Sequence, residues 1–205
     1  YQSSNGDYID KRVVVRGDSY VMELKIEFDL KNTSLEKNVE LLWLSGILPT
    51  ELAVQDEISF SGAYISGING LQSISQSTAV DVRREIYPSN TDWFAIRNKY
   101  FSVVIIPENP ADYAILSSGP DYFEEMLGEK YNTFDDREIT PIYTATLGTN
   151  MGSGDVRGKS SFITYVGPLD VNHISLLDSG VENIMNFGWA IIKPFSRLVL
   201  WLIKT

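Results

Sequence analysis

The chain has 205 residues, a formal net charge of −10 at pH 7, 43% hydrophobic residues and no cysteine. A chain of this length can bury a core without cross-links, and the lack of thiols excludes a disulfide framework and a thiolate metal site. The charge is uneven, because residues 189–205 contain three basic side chains and no acid. The acidic remainder is unsuited to nucleic acid, whose phosphates need a basic surface, whereas the tail suits an anionic surface.

The clearest element near the N-terminus alternates apolar and charged residues from Tyr20 to Leu30. This period of two predicts a half-buried antiparallel strand. Arg16-Gly17-Asp18 lies between this strand and a shorter strand pattern at Lys11–Arg16. Glycine followed by aspartate is common in hairpins, so we interpret the tripeptide as a turn and not as a cell-adhesion motif.

Further short strand patterns follow, separated by turns that contain glycine or proline. They span Val39–Leu48, Glu57–Ile65, Ala79–Ile86, Trp93–Ile96, Tyr100–Ile106, Tyr113–Ser117, Glu138–Leu147 and Ser160–Val166. About ten strands with no helices alternating between them predict a mainly β protein, a β-sandwich rather than a parallel α/β sheet.

An acidic section at Gly119–Glu138 interrupts the strands and has a weak helical pattern at Tyr122–Leu127. Such a section is usually a solvated loop. Aromatic residues between the acids leave a second interpretation open, a partner-docking surface, because exposed aromatics favour interfaces. The residues predicted for that surface are Tyr122, Phe123, Glu124 and Glu125.

No motif in the chain predicts catalysis. The glycines of Met151–Gly158 depart from the dinucleotide and P-loop spacings, and we interpret them as a hairpin connection. His173, the sole histidine, lies in a predicted helix at Asp170–Gly180 with Asp170 as N-cap and Gly180 as its stop. A glycosidase remains formally open, since a carboxylate pair is defined by its separation in space. We predict no catalytic residue, no metal site and no cofactor.

The tail from Trp189 to Thr205 is predicted to be an amphipathic helix at a membrane interface, kinked or restarted at Pro194. Its length, on the order of 25 Å, is short of the ~30 Å hydrocarbon layer, and its cations would be costly at the bilayer centre. The alternative is an ordinary helix docked on the protein's own core. The predicted interface residues are Trp189, Ile192, Lys193, Phe195, Arg197, Leu198, Trp201, Leu202 and Lys204.

Three motifs near the C-terminus occur in a fixed order. An aromatic-Val-Gly-Pro run ends Phe162–Pro168, and Asn186–Trp189 and Lys193–Phe195 follow a short predicted helix. This order resembles the junction in YidC-type membrane protein insertases between the large periplasmic domain and the insertase core. Val13–Asn32 resembles the family's strand, Arg-Gly-Asp turn and long alternating strand, and Ala95–Pro107 resembles the segment in which the family has a strand ending in Ile-Pro. The residues matching its structural motifs are Arg16, Gly17, Asp18, Tyr165, Gly167, Pro168, Gly188 and Pro194.

The resemblance implies a β-supersandwich like that of galactose mutarotases, followed by short C-terminal helices. It implies a periplasmic domain at residues 1–167, truncated at its N-terminus, and a helical segment at 168–205 that leads into an absent transmembrane core. It places this fragment of a multi-pass protein on the periplasmic side of the bacterial inner membrane. The implied role is non-catalytic, in an insertase and chaperone that acts alone or with the Sec translocon. The implied partners are SecD, SecF, nascent membrane proteins and the lipid surface.

Two other functions are alternatives to this one. A carbohydrate-binding or mutarotase-like domain would share the fold, but the epimerases on mutarotase-like folds use histidines and a carboxylate, and the chain has one histidine. Fold similarity alone does not carry function. A peripheral lipid-binding module, complete in itself, is the second alternative.

Overall fold

The computed structural model describes residues 6–33, 38–44, 46–47, 59–75, 82–119, 142–151 and 154–185. The chain divides into two compact units, Tyr1–Pro168 and Leu169–Thr205. Within the described ranges, the first unit forms eleven strands in two antiparallel sheets. This architecture confirms the predicted mainly β sandwich.

The strands of the first unit are short, apart from two long neighbours in the larger sheet. They are β1 (Tyr8–Val15), β2 (Val21–Thr33), β3 (Asn38–Trp43), β4 (Gly62–Gly67), β5 (Gly70–Ile74), β6 (Arg83–Tyr87), β7 (Thr91–Arg97), β8 (Phe101–Pro107), β9 (Tyr113–Ser118), β10 (Tyr143–Asn150) and β11 (Gly154–Pro168). The seven-stranded sheet has the order β1-β2-β11-β8-β7-β4-β5, and the four-stranded sheet has the order β3-β10-β9-β6.

Strand β2 follows the predicted alternation. Leu24 and Phe28 are buried, whereas the charged residues that alternate with the apolar ones lie on the other face, where Glu27 and Asp29 pair with β11. Lys159 Nζ lies 2.7 Å from Glu27 Oε1, and Arg157 Nε lies 2.7 Å from Asp29 Oδ2. The alternation therefore sets both the buried face of β2 and the charged ladder across it.

The core lies between the two sheets. Phe94, Ile96 and Ile105 of the larger sheet are at most 3% exposed, and they belong to one buried cluster with Leu116 and Leu147 of the smaller sheet. Full burial of such a side chain stabilises the fold by about 1.5–3 kcal/mol. The sandwich is thus held together mainly by apolar burial between its inner faces.

The structure corrects several predicted boundaries. Strand β5 was not predicted, because its sequence GLQSI lacks clear alternation. It forms by pairing with β4, which places Ile74 in the core at 0% exposure. Strand β11 is longer than the predicted Ser160–Val166, and Gly158 lies inside it rather than in a connection. A Cβ at Gly158 would clash with the ring of Phe28, so the glycine lets that ring cover the strand.

The second unit contains a short α-helix, α1 (Val171–Ile174), and 3-10 helices at Ser175–Leu177 and Val181–Met185. Asp170 caps α1 as predicted, because its Oδ1 accepts a hydrogen bond of 2.7 Å from the backbone N–H of Asn172. The predicted helix does not continue to Gly180. It ends at Leu177 because Asp178 adopts the left-handed conformation, with φ 47°. His173 lies exposed on α1.

Two predicted regions fall outside the described residues. They are the acidic section, with Tyr122, Phe123, Glu124 and Glu125, and the tail, with Gly188, Pro194 and the interface residues from Trp189 to Lys204. The docking surface and the interfacial helix therefore remain predictions. Within the part that is described, no helix is long and apolar enough to span a bilayer.

Candidate functional site

One end of the sandwich is formed by two hairpin turns and the last residues of β11. The register pairs Val15 with Met22, Arg97 with Ser102 and Pro168 with Phe101. Residues 16–20, residues 98–100 and the end of β11 therefore lie side by side. We call this the exit end, because the chain leaves β11 here, and we call the opposite end the far end.

An apolar cleft of about 480 Å³ lies at the exit end. This volume is in the lower part of the range of ligand pockets in proteins, about 300–1,000 Å³. Its walls come from both sheets and from the segment after β3. The lining residues are Tyr20, Trp43, Gly46, Ile47, Phe101, Ser102, Val103, Val166, Gly167 and Pro168.

The first wall of the cleft depends on a close contact between Tyr20 and Gly167. A Cβ added at Gly167 would lie 2.7 Å from Tyr20 Cγ, so only glycine leaves room for the ring. The ring also meets Tyr165 edge to face, with centroids 6.1 Å apart. The Tyr165 hydroxyl in turn donates to the Pro168 carbonyl at 2.5 Å. Three predicted motif residues, Tyr165, Gly167 and Pro168, therefore act together in positioning Tyr20.

The second wall is held by Trp43 at the end of β3. Its Nε1 donates a 3.0 Å hydrogen bond to the carbonyl of Gly46, and its ring packs against the core cluster. Gly46 has φ 57°, a conformation that favours glycine. The chain can therefore turn back on the indole directly after the strand.

The rim of the cleft includes the β7–β8 turn. Asn98 is buried, and its Oδ1 accepts hydrogen bonds from the backbone N–H groups of Tyr100 and Phe101, at 2.9 and 2.7 Å. This fixes the turn and presents two aromatic side chains, Tyr100 at 37% and Phe101 at 41% exposure. Lys99 Nζ lies 5.0 Å from the centroid of the Tyr100 ring, a cation–π distance.

The Arg16-Gly17-Asp18 motif forms the β1–β2 turn, as the hairpin interpretation predicted. The Ser19 N–H donates to the Arg16 carbonyl at 3.3 Å, and Ser19 Oγ accepts from the Val21 N–H at 3.0 Å. Arg16 also bonds Glu23 at 2.9 Å. The hydrogen bond from Arg16, and to a smaller extent the one from Lys25, lowers the pKa of Glu23. The motif thus borders the exit end without lining the cleft.

Sequence reasoning did not find the cleft. Tyr20, Trp43 and Phe101 were each interpreted as strand residues, and no periodicity links three positions so far apart in the chain. Among the described residues, no group of His, Asp and Glu side chains is arranged to hold a metal ion.

The comparison with known families identifies the group to which this sandwich and its cleft belong. The family described as the YidC periplasmic domain matches residues 1–202. The chain belongs to this YidC periplasmic domain family. The match spans β1 to β11 and continues through the second unit, and it confirms the resemblance found in the sequence.

Relatives of the chain are named membrane protein insertase YidC. One from Chlorobium limicola is 29% identical over 194 residues, which cover 90% of this chain and 29% of the relative. One from Prosthecochloris aestuarii is 27% identical over 199 residues, covering 93% of this chain and 31% of the relative. The chain therefore spans about three tenths of the length of these insertases.

Proposed function

We propose that the chain is the periplasmic accessory domain of a bacterial inner-membrane insertase that integrates and folds membrane proteins, alone or with the Sec translocon. The family match over residues 1–202 supports this proposal, and relatives bear the name membrane protein insertase. Most of each relative's length lies outside this chain, so we assign insertion itself to the rest of the protein and an accessory role to this domain.

The role that we assign is binding rather than catalysis. The concave surface at the exit end consists mainly of apolar and aromatic side chains, while the sole histidine lies on α1. Transfer of apolar segments from water to lipid supplies free energy for insertion without a chemical step. A sugar-active domain is less favoured, because a sugar's many hydroxyl groups need hydrogen-bond partners, and only Tyr20 and Ser102 among the described lining residues have a side-chain hydroxyl.

We assign the cleft to apolar side chains of nascent membrane segments. Burying one or two Leu or Phe side chains contributes about 1.5–3 kcal/mol each, before the cost of association is subtracted. A dissociation constant of 1 mM corresponds to about 4 kcal/mol. Contacts at the cleft are therefore expected to be weak and to release the segment readily, as a chaperone requires.

Attachment to the membrane is assigned to the tail, Trp189–Thr205, and partner contacts with SecD or SecF to Tyr122–Glu125. Deletion of the tail should weaken binding of the domain to anionic vesicles. Equal binding after the deletion would contradict the interfacial helix and favour the docked alternative. A photocrosslinker at Tyr122 in intact membranes should give SecD or SecF adducts, and their absence would remove this docking role.

The cleft can be tested by site-specific crosslinking in the complete insertase. A photoreactive residue replaces Phe101 on the rim, and the matched control replaces Ile68, which is 78% exposed at the far end. Membranes with stalled nascent chains should give adducts at position 101 and few at position 68. Equal yields at both positions, or none at position 101, would contradict the assignment of the cleft.

A further inference from the structure

The main chain of Phe101, on the rim of the cleft, is bonded twice to one residue of the β7–β8 turn. Its N–H donates to Asn98 Oδ1 at 2.7 Å, and its carbonyl accepts from the Asn98 N–H at 3.0 Å. Across the sheet the register pairs Phe101 with Pro168, which has no N–H to donate. Asn98 therefore provides two hydrogen bonds to Phe101 at a point where proline leaves the strand pairing without a donor.

Asn98 acts on this rim from inside the protein. It is 1% exposed, and it is not among the described residues that line the cleft. Its Oδ1 also accepts from the Tyr100 N–H at 2.9 Å, so one side chain fixes two consecutive rim residues. A side chain bound in the cleft would contact Phe101 but not Asn98. Any effect of Asn98 on binding must therefore act through the residues that it holds.

The position of Phe101 matters because its ring borders an apolar space. The ring is 41% exposed and lines a cleft of about 480 Å³. An aromatic ring that is free to move beside such a cleft gains free energy by entering it, because apolar surface then leaves water. A ring inside the cleft would occupy the space assigned to a side chain of a nascent segment. Fixing the main chain of Phe101 keeps the cleft open and the rim ordered before binding.

We propose that Asn98 is a positioning residue for the binding of nascent membrane segments. It holds Phe101 at the mouth of the cleft, so that the ring contacts an apolar side chain of the segment instead of filling the cleft. This inference rests on the proposed function, which assigns the cleft to such side chains. It adds a residue that contacts no part of the segment and yet determines how well the cleft binds it.

Crosslinking in the complete insertase tests the effect on binding. A photoreactive residue replaces Val166, which lines the cleft and is 38% exposed, in membranes with stalled nascent chains. Asn98→Ala should reduce the adducts about three- to tenfold, because the cost of ordering Tyr100 and Phe101 is then incurred on binding. Asn98→Asp retains an oxygen acceptor for both N–H groups and should restore at least about half of the adducts.

Thr91→Ala is the matched control at the far end. Thr91 is also 1% exposed, and its Oγ1 donates to the Ser89 carbonyl at 3.1 Å. The control therefore removes a hydrogen bond from a buried side chain, as Asn98→Ala does, but far from the cleft. It should leave the yield of adducts at position 166 unchanged. An equal decrease in both variants would show that Asn98 acts only on stability, and would overturn the inference.

Amide hydrogen exchange of the 205-residue chain gives a second readout, which needs no nascent segment. Asn98→Ala should speed exchange at Tyr100 and Phe101 at least about tenfold, whereas Thr91→Ala should not. Unchanged exchange at both amides would overturn the inference. Parent-level adducts in Asn98→Ala would overturn it too and leave the proposed function standing, whereas a parent that gives no adducts at position 166 would overturn both.

Discussion

Replacing Gly167 by alanine should lower the free energy of unfolding by about 1–3 kcal/mol, the usual cost of overpacking a filled site. The added Cβ would lie 2.7 Å from Cγ and 2.9 Å from Cβ of Tyr20. These atoms are near the backbone, so rotation of the ring does not relieve the contact. Moving the ring also weakens its edge-to-face contact with Tyr165, which lies 6.1 Å away between centroids.

The assay is thermal and guanidinium unfolding followed by circular dichroism. A loss of about 2 kcal/mol corresponds to a decrease in Tm of about 4–8 °C for a chain of this size. Gly17→Ala is the matched control at the same end, because a Cβ there meets nothing within 4 Å. That variant should change stability by at most about 0.5 kcal/mol in the unfavourable direction.

A double-mutant cycle identifies the cause. In a Tyr20→Ala background, the ring that clashes is absent, so Gly167→Ala should become nearly neutral. If Gly167→Ala is as stable as the parent, or costs the same in both backgrounds, the glycine is not there to admit Tyr20.

Three further predictions concern the core, the tyrosines and the charged ladder. Phe94→Ala should destabilise by about 3–5 kcal/mol, seen in unfolding midpoints, because Phe94 is fully buried; a small loss would contradict its place in the core. Burial of Tyr113, followed in size by its hydrogen bond to Glu40, raises the pKa of Tyr113 to about 12. Stability should therefore fall as the pH rises from about 10 to 12, and it should fall less in the Tyr113→Phe variant. An equal decline in that variant would exclude this cause. The hydrogen bond from Lys159 lowers the pKa of Glu27 below its ordinary value of 4.5. The pair therefore stabilises the fold above pH 4.5, and this stabilisation is lost on acidification. At low salt, the Lys159→Ala variant should lose less stability on acidification than the parent, and an equal loss would show that the pair contributes nothing.

The sequence predicted those features that depend on short-range rules. The alternation of Tyr20–Leu30 predicted β2 because one face of a strand is buried and the other is not. The Asp170 cap was predicted because an aspartate before a helix satisfies a free N–H group. The Arg16-Gly17-Asp18 turn followed from hairpin chemistry. Each of these involves residues within a few positions of one another.

The tertiary structure decided what depends on distant pairing. Strand β5 exists because β4 provides its hydrogen-bond partners, and its own sequence has no clear pattern. Strand β11 lies between β2 and β8, which brings Gly167 beside Tyr20 although the two residues are far apart in the sequence. Neither the order of strands in a sheet nor the contact of a ring with a glycine is encoded in local periodicity.

The same distinction applies to the site. The sequence determined the net charge, the lack of cysteine and the family motifs, because these are properties of the residues alone. Only the fold gathered Trp43, Phe101 and Gly167 into one cleft. The physical reason is that register across the sheets fixes which ends coincide, and register is set by burial on both inner faces together.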